Sequence, residues 1–300
     1  MTTPTLAGPH RKPYDEEIDV YGLTHAGKVR KENQDHFVIG ALKKQLVVRQ
    51  TSLPELHSIS PEPERLAFLM MVADGVGGGV KGEAASRTAV EAVIQYVEHT
   101  MRCYYAARAD DREFYEALRE GAFLTHVELL RRGEIDPAYR GMATTLTLYL
   151  GVWPRAYLLQ VGDSRCYLLE NGELSQITRD QTMAQELVDL GAISQGDASN
   201  TRLAHTLSSS IGGRQTAPVV TRLDVKWGNV VLLCSDGLTN HVSDERIRDR
   251  LRSMTSAQQV CEDLLEEALV GGGTDNITLI VGRAVARDAE ATRGDRKPQE

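Results

Sequence analysis

Long apolar runs are missing from this 300-residue chain. No window approaches the roughly 18 consecutive apolar residues of a membrane-spanning helix, so no membrane association is expected. The opening residues, MTTPTLAGPHRKPYDEE, carry no apolar stretch after their charges, and a secretory leader is not expected. Cysteine is scarce. The four thiols, Cys103, Cys166, Cys234 and Cys261, lie far apart and form no CxxC pair. That spacing argues against a zinc knuckle and for reduced thiols in a cytoplasmic protein. A basic excess is also lacking: 34 Lys and Arg stand against 42 Asp and Glu, a net charge of −8. A general nucleic-acid binder needs the opposite balance to release counterions.

What is present reads as a globular protein, with 41% hydrophobic and 25% charged residues. A chain of this length buries roughly 75% of its unfolded surface, enough for one large core or two modest ones. Residues 1–16 and 286–300 are polar or charged and read as flexible tails, leaving 17–285 as one domain. Alternating or continuous apolar runs predict strands over 18–25, 37–39, 46–48, 65–73, 144–152, 155–161, 165–169, 173–177, 219–225, 230–234 and 276–285. Helical spacing predicts helices over 83–100, 111–132, 180–190, 243–254 and 256–269. The Pro-rich 49–64 reads as a surface insertion, and 191–214 as the least regular internal region. Strands flanking blocks of helices imply an α+β layering with mostly antiparallel sheet.

The placement of acids carries the chemistry. Asp74, Asp163, Asp236 and Asp275 each sit at the end of an apolar strand-like run, beside Gly, Ser or Asn, and Asp35 precedes the apolar 37–39. A single Asp of this kind is an ordinary turn residue. Several at the ends of strands sharing a sheet would place carboxylates in one small volume, where they cannot all ionise without a cation. Oxygen ligands without nearby His or Cys fit Mg²⁺ or Mn²⁺ rather than Zn²⁺. Such a site suits phosphate monoester hydrolysis, because two metals lower the pKa of a bound water and clamp phosphate oxygens. Arg30, five residues before Asp35, is the candidate for bidentate phosphate binding.

A nucleotide-binding reading competes. Residues 77–82, GGGVKG, satisfy G-x-G-x-x-G after an apolar run. The second parallel strand of a βαβ unit does not follow, and Lys81 precedes Gly82 rather than Ser or Thr, which excludes a P-loop. None of the eight His has metal-ligand spacing; His25 and His36 read as packing or surface residues, and Cys234 as an inert core thiol.

The segments VRKENQD, VADGVGGG, MATTLTL, VGDSRCYLL, ITRDQT, LSSSIGG, LLCSDGL and GTDNITLIV occur in order between about residues 22 and 285. In that order they resemble the metal-dependent Ser/Thr protein phosphatases of type 2C, and look most like compact bacterial members. The resemblance implies a central β-sandwich of two antiparallel sheets flanked by helices on both outer faces. It implies two Mn²⁺ or Mg²⁺ ions at one end, with a third, weaker site at Asp163 together with Asp236. Asp74 is then the carboxylate bridging the two metals, Gly75 offers its carbonyl to the second, and Asp236 and Asp275 complete the first. Arg30 is the phosphate-binding residue, Asn276 is placed to orient Asp275, and the 181–214 region is a flap beside the site.

Two positions depart from the pattern. Gln34 stands where many relatives carry a Glu near the second metal, which weakens that site or leaves Asp35 to act through water. Val76 stands where animal members carry a His general acid. The resemblance implies a monomeric phosphatase acting on phosphoserine and phosphothreonine proteins, through attack of a metal-activated water, and reversing a cognate Ser/Thr kinase. A catalytically weak pseudophosphatase acting as a regulatory module is the alternative; the intact Asp74, Asp236 and Asp275 argue against it.

Overall fold

A computed structural model describes residues 11–44, 64–78, 80–100, 110–198 and 201–286. The expected strand at 46–48, nearly all of the expected insertion at 49–64, and the outer parts of both expected tails lie outside the described residues.

Alternation and apolar runs become two five-stranded antiparallel sheets. The first has the order β1 (Ile18–His25), β12 (Ile277–Ala284), β11 (Val230–Cys234), β8 (Arg165–Glu170), β9 (Glu173–Gln176). The second has the order β10 (Val219–Asp224), β7 (Arg155–Val161), β6 (Leu146–Val152), β3 (Glu64–Ala73), β2 (His36–Lys44). A two-stranded piece pairs β4 (Gly75–Val76) with β5 (Ala143–Thr144). Central strands such as β11, VVLLC, are buried along their whole length, because both of their faces are covered. The β8–β9 hairpin turns on Asn171 and Gly172, both at positive φ, as the Asn-Gly pair predicts.

Helices cover both outer faces. α1 (Val80–Thr100) and α2 (Asp111–Ile135) pack on the second sheet; α6 (Asp244–Ser253) and α7 (Ala257–Val270) pack on the first. Their starts are written in the sequence. Asp110 and Glu113 form a capping box for α2, while Ser243 and Ser256 cap α6 and α7. Apolar packing therefore forms three layers. One lies under α1 and α2 around Leu146, Leu148 and Tyr157; one lies between the sheets around Met70, Val72 and Leu233; one lies under α6 and α7 around Leu232 and Leu264. Fully burying each such Leu contributes about 1.5–3 kcal/mol. The sandwich with helices on both outer faces is the expected architecture.

Three local expectations needed revision. The strand expected at 37–39 runs on to Lys44, because a register shift at Leu42/Lys43 keeps it paired with β3 past its apolar part. The irregular 191–214 contains a short helix, α4 (Gln195–Ala198), after α3 (Met183–Asp189), which Thr182 caps. The inner end of the expected N-terminal tail is tied down. Arg11 pairs with Glu17 and lies 4.7 and 4.9 Å from the Tyr14 and Trp227 ring centres, and Arg65 binds Asp15 and the Pro13 carbonyl.

Candidate active site

Strand ends bring the predicted acids to one end of the sandwich. Asp74 follows β3, whose last residues are fully buried. Its backbone is locked to the end of β5 and the residue after it: its N–H donates to Thr145 Oγ1 at 3.0 Å, and its carbonyl accepts from Thr145 N–H and Thr144 Oγ1, both at 2.8 Å. Gly75 comes next because nothing larger fits. A Cβ there would stand 2.2 Å from the Gly82 carbonyl oxygen and 2.7 Å from that of Gln34. Asp236 opens a short helix, α5 (Asp236–Thr239), after β11, and accepts from Asn240 Nδ2 at 3.2 Å. Gly237 is needed for the same kind of close approach, since a Cβ would sit 1.9 Å from the Asn276 carbonyl oxygen.

Asp275 and Asn276 precede β12. Asn276 braces the loop that carries Arg30: its Nδ2 donates to the carbonyls of Glu32 (2.9 Å) and Ala26 (3.1 Å), and its Oδ1 accepts from Gln34 N–H at 2.9 Å. Its own backbone N–H donates to Asp275 Oδ1 at 2.8 Å. Arg30 reaches Asp275 Oδ2 at 2.7 Å. Asp275, followed by the Asp236 and Asp74 charges, holds the Arg30 guanidinium above its ordinary value.

Arg30, Gln34, Asp74, Gly75, Val76, Asp163, Asp236, Asp275 and Asn276 all line one cleft of about 410 Å³. Asp35 stands behind it, only 3% exposed. Asp35 Oδ2 accepts from Thr278 Oγ1 at 2.7 Å and Ser235 Oγ at 2.8 Å, while Oδ1 has no hydrogen-bond partner among the described residues. Burial raises the Asp35 carboxyl to about 6, and burial followed by the Asp236 and Asp180 charges raises Asp163 to about 8. Asp74 is pushed well above the carboxylate range by burial first, then by Asp35, Asp236, Asp163 and Asp275.

Carboxylates gathered this way cannot all ionise without a compensating cation. The donor set is carboxylate and carbonyl oxygen, with an orphaned buried acceptor at Asp35 Oδ1, and suits a hard divalent ion. As placed, no three His, Cys, Asp or Glu side chains among the described residues converge closely enough to hold a metal. The residues fit such an ion in kind, as oxygen donors gathered along one cleft.

Sequence reasoning missed several members of the site. His205, from the irregular 191–214, lines the cleft with Nδ1 3.9 Å from Asp236 Oδ2, and its pKa is raised, chiefly by Asp236. No spacing rule points to it, because only the return of the chain after α4 brings it there. Thr145, Asn240 and Thr274 also line the cleft. A second hollow of about 530 Å³ adjoins it beneath α3 and α4, sharing Asp163, His205 and Asp236 and adding Asp180 and Arg165, which pair at 2.7 Å. His25 and His36 stay outside the cleft. His25 Nδ1 accepts from Gly27 N–H at 2.9 Å, and His36 bonds Ser86. Cys234 is fully buried, with its thiol raised to about 12 by burial, and is inert.

A sequence profile described as protein phosphatase 2C matches residues 57–270. The serine/threonine protein phosphatase PstP of Mycobacterium tuberculosis is 36% identical over 76% of this chain; the match spans 42% of that relative's length. The serine/threonine phosphatase stp of Listeria monocytogenes is 31% identical over 71% of this chain and 83% of its own. Among solved structures, M. tuberculosis PstP/Ppp superposes with a TM-score of 0.72 at 30% identity, covering 90% of this chain and 99% of that one. The catalytic domain of PstP in complex with two manganese ions gives 0.70 at 30% identity, with the same coverage. A sandwich of this topology, with acids at these strand ends and a family profile across more than half of its length, leaves one assignment: the chain belongs to the protein phosphatase 2C family.

Proposed function

We propose that the protein is a metal-dependent phosphoprotein phosphatase that hydrolyses phosphoserine and phosphothreonine. The observation that carries this reading is the meeting of Asp74, Asp163, Asp236 and Asp275 with Arg30 in one cleft, with Asp35 buried behind them. Asp74, Asp236, Asp275 and the Gly75 carbonyl would hold two Mn²⁺ or Mg²⁺ ions, with Asp163 serving a third and Asp35 acting through water. Bound divalent ions supply Lewis acidity and lower the pKa of water.

The chain's own groups do the rest. Arg30 exchanges its pairing with Asp275 for the substrate phosphate, which accepts two parallel N–H bonds from a guanidinium. Asn276 keeps the Arg30 loop and Asp275 in register. The buried Ser235 and Thr278 hydroxyls hold Asp35 in place. His205, over the cleft at Asp236, borders the path by which a phosphorylated side chain enters. Val76 leaves no imidazole at its position.

The substrates are phosphoproteins, and the partner is a Ser/Thr kinase whose products this enzyme reverses. The relatives, serine/threonine phosphatases by name, support that class. Residues 17–285 act as one catalytic unit, with 181–214 as its flap. A cytoplasmic setting suits the three buried free thiols among the described residues and the absence there of a helix able to cross a membrane.

Hydrolysis of a phosphothreonine peptide with Mn²⁺, Mg²⁺ or EDTA tests the reading, with Asp236→Asn as control. Turnover should require the divalent ion and collapse in the variant. A folded protein that turns nothing over with either metal would refute it.

A further inference from the structure

At the end of the sandwich opposite the acidic cleft, the two sheets part around a cavity of about 80 Å³. The strands that lead to Asp74 and Asp236, and the strand that leads away from Asp275, all reach it: β3 with Phe68 and Met70, β11 with Val231, β12 with Gly282 and Ala284. Phe68, Met70, Tyr149 and Val231 make its walls apolar.

Besides three arginines, two donors break that apolar lining. Asn229 is 5% exposed, and its Nδ2 has no hydrogen-bond acceptor among the described residues. A buried amide donor left this way is destabilising until an acceptor arrives. Lys12 is the second. One of its three ammonium hydrogens is spent on the Arg65 carbonyl, and it forms no ion pair among the described residues. The other cations of the lining have carboxylate partners: Arg65 pairs with Asp15, which Lys43 shares, Arg155 with Asp111, which Arg222 shares, and Arg283 with Asp19. Burial and the nearby Arg65 charge lower the Lys12 pKa by more than the Glu64 and Asp15 charges raise it.

We propose that this cavity is a binding site for a small aliphatic carboxylate, with its oxygens on Asn229 Nδ2 and Lys12 Nζ and its tail against Phe68, Met70, Tyr149 and Val231. The chemistry selects the class. Both polar groups are donors, so the ligand must bring acceptors, and Lys12 requires those acceptors to be anionic. The walls require an apolar tail. The volume is about half of the roughly 150 Å³ that admits benzene, so a few carbons fit and an aromatic ring does not. Water alone would satisfy Asn229 but would leave Lys12 unneutralised and the apolar walls wet. The site shares no residue with the acidic cleft, so it does not depend on the phosphatase reading.

The test uses the full chain with sodium butyrate as probe, butyramide as its neutral counterpart, and constant ionic strength. Thermal shift and calorimetric titration are run with EDTA and with Mn²⁺. Butyrate should raise the melting temperature saturably in the low-millimolar range, alike with and without metal, and butyramide should bind at least tenfold more weakly. Asn229→Ala and Lys12→Gln should each raise Kd about tenfold. Should Asn229→Ala fail to fold, Lys12→Gln on the half-buried N-terminal segment carries the test alone. No saturable response to butyrate would overturn the proposal. So would equal binding of butyramide, or butyrate binding that Lys12→Gln leaves unchanged.

Discussion

Replacing Asp35 by Asn should stabilise the metal-free protein at neutral pH and leave it unchanged in acid. Asp35 is buried, and burial lifts its carboxyl from 3.8 to about 6, with Asp236 adding to the rise and bonds from Thr278 and Ser235 opposing it. Between those values the unfolded chain has released this proton and the folded chain has not. Folded stability therefore falls as pH rises from about 4, and the loss is complete once pH passes the folded value. A shift of about two units at about 1.4 kcal/mol each makes the deficit about 3 kcal/mol. That is a large share of the roughly 5–15 kcal/mol by which domains are stable. Asparagine keeps the size and carries no charge, and the Ser235 and Thr278 hydroxyls can turn to suit it. His36 and His126 are held below their ordinary value by burial and act in the opposite sense, losing stability as pH falls. They are common to both proteins and cancel in the difference. Urea denaturation in EDTA across about pH 4 to 8 would measure both curves. The gain of the variant should grow from zero in acid to about 3 kcal/mol above pH 7. A difference that is flat, or that shrinks as pH rises, would refute the claim that burial penalises this carboxylate.

Three further outcomes are expected. Arg30→Lys should raise KM for a phosphothreonine peptide about tenfold in steady-state assays, because an ammonium cannot make two parallel bonds to phosphate. Gly75→Ala should lose about 1–3 kcal/mol in denaturant melts and most of its turnover, since its Cβ would stand 2.2 Å from a backbone oxygen. Gly40→Ala, with nothing within 4 Å of its Cβ, should change neither. Asp111 is held down to about 2 by Tyr157 first, then by Arg222 and Arg155, so its contribution is present above pH 3.8 and is lost as pH falls toward 2. Asp111→Asn should be less stable at neutral pH, and its acid unfolding curve should lack that component.

Local signals in the sequence marked much of this molecule, and long-range ones did not. β1 spans the same residues that its alternation predicts, Ile18–His25, because one repeating pattern governs its pairing. Helical spacing placed α6 and α7 to within one residue at each end, because an amphipathic repeat is a local pattern. The acids at strand ends were legible since a carboxylate beside an apolar run is locally anomalous. Their supports were not. Ser235 and Thr278 look like ordinary strand-end hydroxyls until two neighbouring strands deliver both to Asp35. His205 was hidden in a segment without periodicity. Arg11 looked like a tail residue, because its clamp on Glu17 is completed by Trp227, far along the chain. Asn229 gave no signal at all, as its importance lies in an acceptor that is not there.

Asp35 and Asp74 hang from strands of one sheet, Asp236 and Asp275 from strands of the other. The seam between the sheets is thus lined at this end by two facing lips of like charge, joined across the gap by the Ser235 and Thr278 bonds to Asp35. A divalent ion drawn between them would act as a rivet. The far end of the seam carries ties of its own, the Arg11–Glu17 clamp and the Trp153–Trp227 contact, which owe nothing to a cation.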